Sequence, residues 1–127
     1  FEENKNWPHK FLAVSFNNQK VLEKLIEIKK DINIKNGKSF SLLNYSIIMK
    51  RTNISIHLLN QNADFEEFDH RGWNSLFFGY FYEDFDVIDH IRNLIGNTKF
   101  KKMLLQKDIF GKTPKDYENK KNSYSNK

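Results

Sequence analysis

The sequence predicts an all-α fold in which short antiparallel helix pairs follow one another along the chain. Three observations predict it. Apolar residues recur at spacings of three and four within segments too short to be stable as isolated helices. A turn of polar residues separates the two helical segments of a pair. Residues of matching chemistry return every 33 positions, which is typical of a repeated structural unit. Stacking of each unit on its neighbours must then supply the stability.

Three columns of like residues set the period. Two columns are apolar and the third contains only small residues; their members are Val21, Ile54 and Val87, then Leu25, Leu58 and Ile91, then Ala13, Ser46 and Gly79. We expect the small column to lie where one helix pair packs tightly against the next, since only a small side chain leaves room there.

Each unit is predicted to contain two helices and an extended, turn-rich connector. In the first unit the helical pattern covers residues 11–14 and 21–26, on either side of a polar turn at 17–19. In the second it covers 42–47 and 54–59, around the turn 50–53, and in the third it covers 76–80 and 85–91.

The connectors carry recognisable motifs. Asp31-Ile32-Asn33 and Asn62-Ala63-Asp64 close the first two units, and Asp69-His70-Arg71-Gly72-Trp73-Asn74-Ser75-Leu76 opens the third. A fourth opens with Asp108-Ile109-Phe110-Gly111-Lys112-Thr113-Pro114, where Thr113 suits a helix cap and Pro114 a first helical position. Over roughly residues 7–118 the chain thus resembles the ankyrin repeat family, with its 33-residue unit and its Gly-x-Thr-Pro-Leu-His and Gly-Ala-Asp-x-Asn motifs.

The resemblance implies a solenoid of stacked antiparallel helix pairs with short hairpin-like connectors. It places an ankyrin-repeat domain at 1–118, with units at about 6–38, 39–71 and 72–110 and a partial cap at 111–118. Residues 119–127 are expected to form a polar, disordered tail. The 34-residue tetratricopeptide repeat, the main alternative, lacks such connectors and fits less well.

The sequence departs from the ankyrin pattern in three places. Gly37 stands two positions early, so the hairpin there is expected to be distorted. Gly72 and Gly111 are 39 residues apart, six more than the period. The surplus falls around 93–102, and either lengthens the second helix or adds a helical turn. The place of the motif histidine holds Phe11, Asn44 and Phe77, which removes its usual hydrogen bond between repeats.

Binding in the ankyrin family uses the concave face, formed by hairpin tips and the outward side of each first helix. The corresponding candidates here are Trp73, Phe81, Tyr82, His70 and Arg71 in the third unit, Phe40, Met49 and Ile48 in the second, and Trp7, Ser15 and Phe16 in the first. Many are large and apolar at positions expected to face solvent, which is typical of a partner site. The alternative is that these aromatic side chains stack on one another and fill the space left by the missing histidine.

Charge is distributed in blocks along the chain. Residues 1–63 carry a net charge of +5, residues 64–89 a net charge of −7, and residues 90–127 a net charge of +7. The acidic block interrupts what would otherwise be a basic, phosphate-binding face, so nucleic acid is not a favoured partner. Around the third unit, acidic side chains suit a partner segment that is apolar and bears Lys or Arg.

No catalytic or cofactor chemistry is predicted. The chain has no cysteine, which suits a reducing compartment, and its histidines lack metal-ligand spacing. Gly37-Lys38-Ser39 and Gly111-Lys112-Thr113 resemble the end of a phosphate-binding loop, but Ile32 and Gln106 occupy the place of its first glycine. No apolar run approaches the roughly 20 residues that span a bilayer, so no membrane partner is predicted.

The sequence therefore predicts a non-catalytic, monomeric, cytoplasmic or intracellular module that binds another protein or peptide, either as a scaffold domain or as an effector acting in a host cell. Two alternatives stay open. One is a substrate-recruiting region of a larger enzyme or effector. The other is a nucleic-acid binder that uses the basic stretch Lys99, Lys101, Lys102, Lys107, Lys112 and Lys115.

Overall fold

A computed structural model describes residues 9–28, 31–36, 38 and 40–118. Within these residues the chain forms seven α-helices and one short 3-10 helix. The β-type pairing among the described residues is an isolated antiparallel bridge between Lys35 and Ser41. The all-α prediction is therefore confirmed. Trp7, Gly37 and the tail 119–127 lie outside the described residues.

Six of the α-helices form three successive pairs, and a seventh helix follows the third pair. The pairs are α1 (His9–Ser15) with α2 (Gln19–Ile28), α3 (Leu42–Ile48) with α4 (Thr52–Asn60), and α5 (Ser75–Phe81) with α6 (Phe85–Ile95). Helix α7 spans Asn97–Leu104, and the 3-10 helix spans Pro114–Tyr117. The six paired helices contain the segments in which the apolar periodicity predicts helices.

The turns inside the three pairs have one backbone geometry. Asn17, Lys50 and Glu83 occupy equivalent places and adopt φ of 54°, 59° and 56°, a left-handed conformation that closes a tight turn. In each turn the following amide donates a hydrogen bond back into the first helix: Asn18 to the carbonyl of Ala13 at 2.8 Å, Arg51 to Ser46 at 2.8 Å, and Asp84 to Gly79 at 2.9 Å. The 33-residue period is therefore present in the backbone as well as in the side chains.

Polar side chains begin these helices by accepting otherwise unpaired backbone N–H groups. The Asn18 side chain accepts from Val21, and the Asp84 side chain accepts from Val87 at 3.3 Å. At the first helices of the second and third pairs, Ser41 accepts from Asn44 at 3.1 Å and Asn74 accepts from Leu76 at 3.0 Å. Short polar residues at fixed positions thus define where each short helix starts.

The small-residue column makes room within a helix pair. A Cβ atom added at Gly79 would lie only 2.9 Å from Cγ1 of Ile88, which is on the second helix of the same pair. Similarly, the Ser46 hydroxyl lies 2.6 Å from the hydroxyl of Ser55. For these two positions the expectation of a tight contact between successive pairs is corrected, because the close approach is between the two helices of one pair.

The chain divides into two compact units at the junction of Asp64 and Phe65. In the first unit, α1 packs on α3. The ring of Phe11 meets the ring of Tyr45 edge-on at 5.7 Å, and the Tyr45 hydroxyl lies 2.6 Å from that of Ser15. The Arg51 guanidinium donates to the backbone carbonyl of Ser15 at 2.8 Å and so satisfies the C-terminal end of α1.

The second unit shows where the six surplus residues go. Gly96, with φ of 84°, ends α6 and is followed at once by α7, so the surplus forms a separate helix of two turns. The sequence predicts either a longer second helix or an extra helical turn for these residues. The observed structure is closer to the extra helical turn. Phe100 and Met103 of α7 join a buried apolar cluster whose other members are Leu76, Tyr80 and Ile88.

Candidate functional site

Three hairpins at Asn36–Phe40, Asp69–Trp73 and Asp108–Lys112 share one hydrogen-bonding scheme. In each, the amide of the first residue donates to the carbonyl of the fifth at 2.9 Å. The first side chain accepts in turn from the amides of the third and fifth residues, at 2.9 to 3.1 Å. Their first residues are 33 and then 39 positions apart, as the repeat with its six-residue surplus requires. The hairpins are thus equivalent structural elements.

The early glycine does not disturb the described part of the first hairpin. Asn36, Lys38 and Phe40 keep the hydrogen bonds found in the other two hairpins. The expected distortion is therefore absent at these residues, because the Asn36 side chain closes the turn as the aspartates do.

Trp73 is buried, with only 5% of its surface exposed. Its ring stacks on Phe77 at 5.9 Å and meets Phe78 and Tyr117 edge-on at 5.2 and 4.9 Å. Its indole N–H donates to the Asp108 carboxylate at 2.9 Å. The prediction that Trp73 faces solvent is wrong. The alternative prediction, that the aromatic side chains stack on one another, is the one that holds for Trp73.

Asp108 is the polar centre of the aromatic cluster. One carboxylate oxygen accepts from the amides of Phe110 and Lys112, both at 2.9 Å, and the other accepts from Trp73 and from the Tyr117 hydroxyl. Burial acts to raise the pKa of Asp108, but the hydrogen bonds, with that from Tyr117 the largest, outweigh it and hold the pKa below its ordinary value. Burial, followed by the adjoining carboxylate, raises the pKa of Tyr117 to about 12.

Arg71 folds back onto its own hairpin. Its guanidinium pairs with the Asp69 carboxylate at 3.1 Å and lies 4.1 Å above the centre of the Trp73 ring. Both contacts are internal and hold the hairpin over the aromatic cluster. The Arg71 side chain stays partly exposed and the neighbouring His70 is exposed, so both remain predicted contact residues.

Phe81 and Tyr82, at the C-terminal end of α5, remain partly accessible. Both are half-buried, and their ring centres are 5.0 Å apart. Phe81 also leans on Trp73 at 5.4 Å, so it connects the surface to the aromatic cluster. The candidates of the second predicted repeat, Phe40, Ile48 and Met49, are likewise half-buried.

Several acidic side chains of the third predicted repeat have partners within the structure. Glu66 pairs with Lys99 at 2.6 Å, Asp69 pairs with Arg71, and Asp84 is buried as the cap of α6. Glu67 is exposed and Glu83 half-buried. The acidic rim available to a partner is therefore smaller than the sequence block.

The hairpin Asp108–Lys112 has an exposed apolar tip that was not predicted from the sequence. Ile109 and Phe110 are each 66% exposed, and Leu105 shortly before them is 75% exposed. Ile109 and Phe110 take the places that His70 and Arg71 take one hairpin earlier, 39 positions back. Applying the lengthened period to the tip residues would have found them.

Among the described residues no group of three or more His, Cys, Asp or Glu side chains is placed to hold a metal ion. Nor does that part of the chain contain a helix with the length and apolarity to cross a membrane. No protein-family model matches the sequence, and no curated protein matches it significantly.

Proposed function

We propose that this chain is an ankyrin-type repeat domain that binds another protein or peptide and carries out no catalysis. The observation that supports it best is the recurrence of one turn and one hairpin at equivalent positions, three times each. A stacked, solenoid arrangement is part of the proposal. In such a protein each repeat offers the same few surface positions to a partner. The absence of cysteine suits an intracellular compartment.

The proposed contact residues are the accessible candidates, which form one set in each compact unit. In the compact unit that begins at Phe65 they are His70, Phe81 and Tyr82, and in the compact unit that ends at Asp64 they are Phe40, Ile48 and Met49. The turn and hairpin hydrogen bonds hold their backbones independently of any partner, so little order has to be gained on binding. Tyr82 is the best anchor, because it presents a large ring with a polar end on a fixed helix terminus.

For the partner we propose an apolar segment that bears Lys or Arg. Glu67, which is exposed, and Glu83, which is half-buried in the turn after α5, supply the supporting charge. Charges of this kind steer the encounter more than they set the affinity. The apolar contact with Tyr82 should therefore dominate the binding free energy.

A panel of apolar peptides bearing either basic or acidic residues tests this proposal. Peptides with Lys or Arg should bind, and Tyr82→Ala should weaken binding by about 2 kcal/mol, or roughly thirtyfold. Leu94→Ala is the matched control, because Leu94 is also a half-exposed large apolar residue but lies away from the proposed face, on α6. Preference for acidic peptides, or equal loss in both variants, would contradict the proposal.

A further inference from the structure

The hairpin Asp108–Lys112 presents an exposed apolar tip. Gly111 donates its amide to the Asp108 carbonyl at 3.0 Å, so Ile109 and Phe110 are the two central residues of a tight turn. Ile109 and Phe110 are each 66% exposed, and Leu105 is 75% exposed. Large apolar side chains exposed together at a turn tip indicate a surface that enters something else.

The tip is held in place by internal hydrogen bonds. Asp108 accepts from the amides of Phe110 and Lys112, and its other oxygen accepts from Trp73 and Tyr117 inside the aromatic cluster. The Ile109 amide donates to the carbonyl of Arg71 on the preceding hairpin at 3.0 Å. The side chains of Ile109 and Phe110 are therefore presented outward on a fixed backbone.

The surroundings of the tip are basic. Lys107 and Lys112 flank the turn directly, and both are exposed. Between residues 100 and 118 five lysines stand against three acidic residues: Asp108, whose carboxylate is buried and engaged, Asp116 and Glu118. Further exposed lysines in the same stretch are Lys101, Lys102 and Lys115. An anionic partner surface would therefore complement the charge around the tip.

We propose that this hairpin binds the surface of an anionic lipid bilayer, with Ile109 and Phe110 inserted at the headgroup level. Exposed apolar side chains at a turn tip with basic flanks suit the apolar interior and anionic headgroups of a bilayer interface. Lysines distributed along the chain can meet an extended anionic plane together. Nucleic acid is also such a surface, but its bases stack on aromatic rings. The aliphatic side chains of Leu105 and Ile109 offer no such stacking surface. Lying on a bilayer requires no spanning helix.

Sedimentation of the full chain with vesicles tests the proposal. Vesicles of phosphatidylcholine and phosphatidylserine should bind it, vesicles of phosphatidylcholine alone should bind it weakly, and added salt should reduce binding. Ile109→Ser/Phe110→Ser should weaken binding roughly tenfold or more, because two inserted apolar side chains are lost. Lys107→Glu/Lys112→Glu should also weaken it, but only for the anionic vesicles.

Matched controls come from exposed residues elsewhere. Ile28→Ser/Leu94→Ser changes two exposed apolar residues, and Lys20→Glu/Lys24→Glu changes two exposed lysines. Both should bind as the unaltered chain does. Thermal unfolding of every variant separates loss of binding from loss of folding. No binding to anionic vesicles would overturn the proposal. So would equal binding by the tip variant, or binding of a single-stranded DNA oligonucleotide in preference to vesicles.

Discussion

The two hairpins of the second unit have the same backbone and opposite surfaces. At Asp69–Trp73 the last residue is a buried tryptophan and the tip arginine folds back over it. At Asp108–Lys112 the last residue is an exposed lysine and the tip residues point outward. One aspartate side chain closes each turn by the same two hydrogen bonds. The hairpin backbone therefore keeps the same hydrogen bonds whether its tip side chains pack inward or face outward.

This difference separates residues that stabilise from residues that are available to a partner. Aromatic character alone does not distinguish them, since Trp73 and Phe110 are both large, apolar and near a turn glycine. Burial distinguishes them, and burial depends on neighbours such as Tyr117, which lies far from Trp73 in the sequence. Substitutions in the two hairpins test the separation.

The largest effect is expected at Trp73. Trp73→Ala should lower the free energy of unfolding by about 3–5 kcal/mol, because a buried aromatic ring and its hydrogen bond are lost. Phe110→Ala should change it by less than about 0.5 kcal/mol, since that ring is mostly in solvent. Urea unfolding followed by circular dichroism measures both. Similar losses in the two variants would remove the distinction between the hairpins.

Asp108→Asn should have the next largest effect, about 3 kcal/mol. The amide nitrogen would replace an oxygen that accepts from Trp73 and Tyr117, and would leave at least one of those buried donors unpaired. Asp69→Asn is the matched change in the other hairpin and should cost less, because its outer oxygen pairs with the partly exposed Arg71. Equal losses of unfolding free energy would show that Asp108 is no more critical than Asp69.

The two hairpin glycines should differ by a smaller amount. Gly72 and Gly111 have φ of 82° and 76°, so alanine should cost about 1–2 kcal/mol at either place. At Gly72 the new Cβ would also lie 3.2 Å from Cα of Asp108, whereas at Gly111 it would meet nothing within 4 Å. Gly72→Ala should therefore lower the thermal midpoint further than Gly111→Ala. A reversed order would argue against the close packing of the two hairpins.

The smallest effect is on the pH dependence. The pKa of Asp108 is lowered in the folded chain, so its contribution to stability is present above the unfolded value of 3.8 and is lost as pH falls through the folded value. The difference in unfolding free energy between the unaltered chain and Asp108→Asn should hold near neutral pH and shrink below about pH 4. A difference that stays constant into strong acid would mean that the carboxylate is not the source of the stability.

Much of the helical structure is predictable from the sequence because it depends on local signals. The three- and four-residue spacings locate the helices, and the 33-residue period locates their turns. Polar residues such as Asn18, Ser41 and Asp84 stand where short helices begin. The separate helix α7 is harder to predict, since a glycine at position 96 is compatible with either a helix end or a loop.

The candidate site is less predictable because exposure is a property of packing between distant residues. The repeat pattern predicts that Trp73 faces solvent, but Asp108 and Tyr117, 35 and 44 positions away, bury it. The sequence predicts a wholly available acidic block, but Glu66 pairs with Lys99 and Asp69 with Arg71. The exposure of Ile109 and Phe110 does not follow from the glycine and lysine that define the hairpin motif.

The burial of Trp73 is the most direct test of the distinction between the two hairpins. The chain has two tryptophans, so Trp7→Phe leaves Trp73 as the only indole and its fluorescence can be read alone. The structure predicts emission at shorter wavelength than indole in water and weak quenching by acrylamide, both lost on unfolding in urea. Emission at the wavelength of free indole, with full quenching in the folded chain, would contradict it.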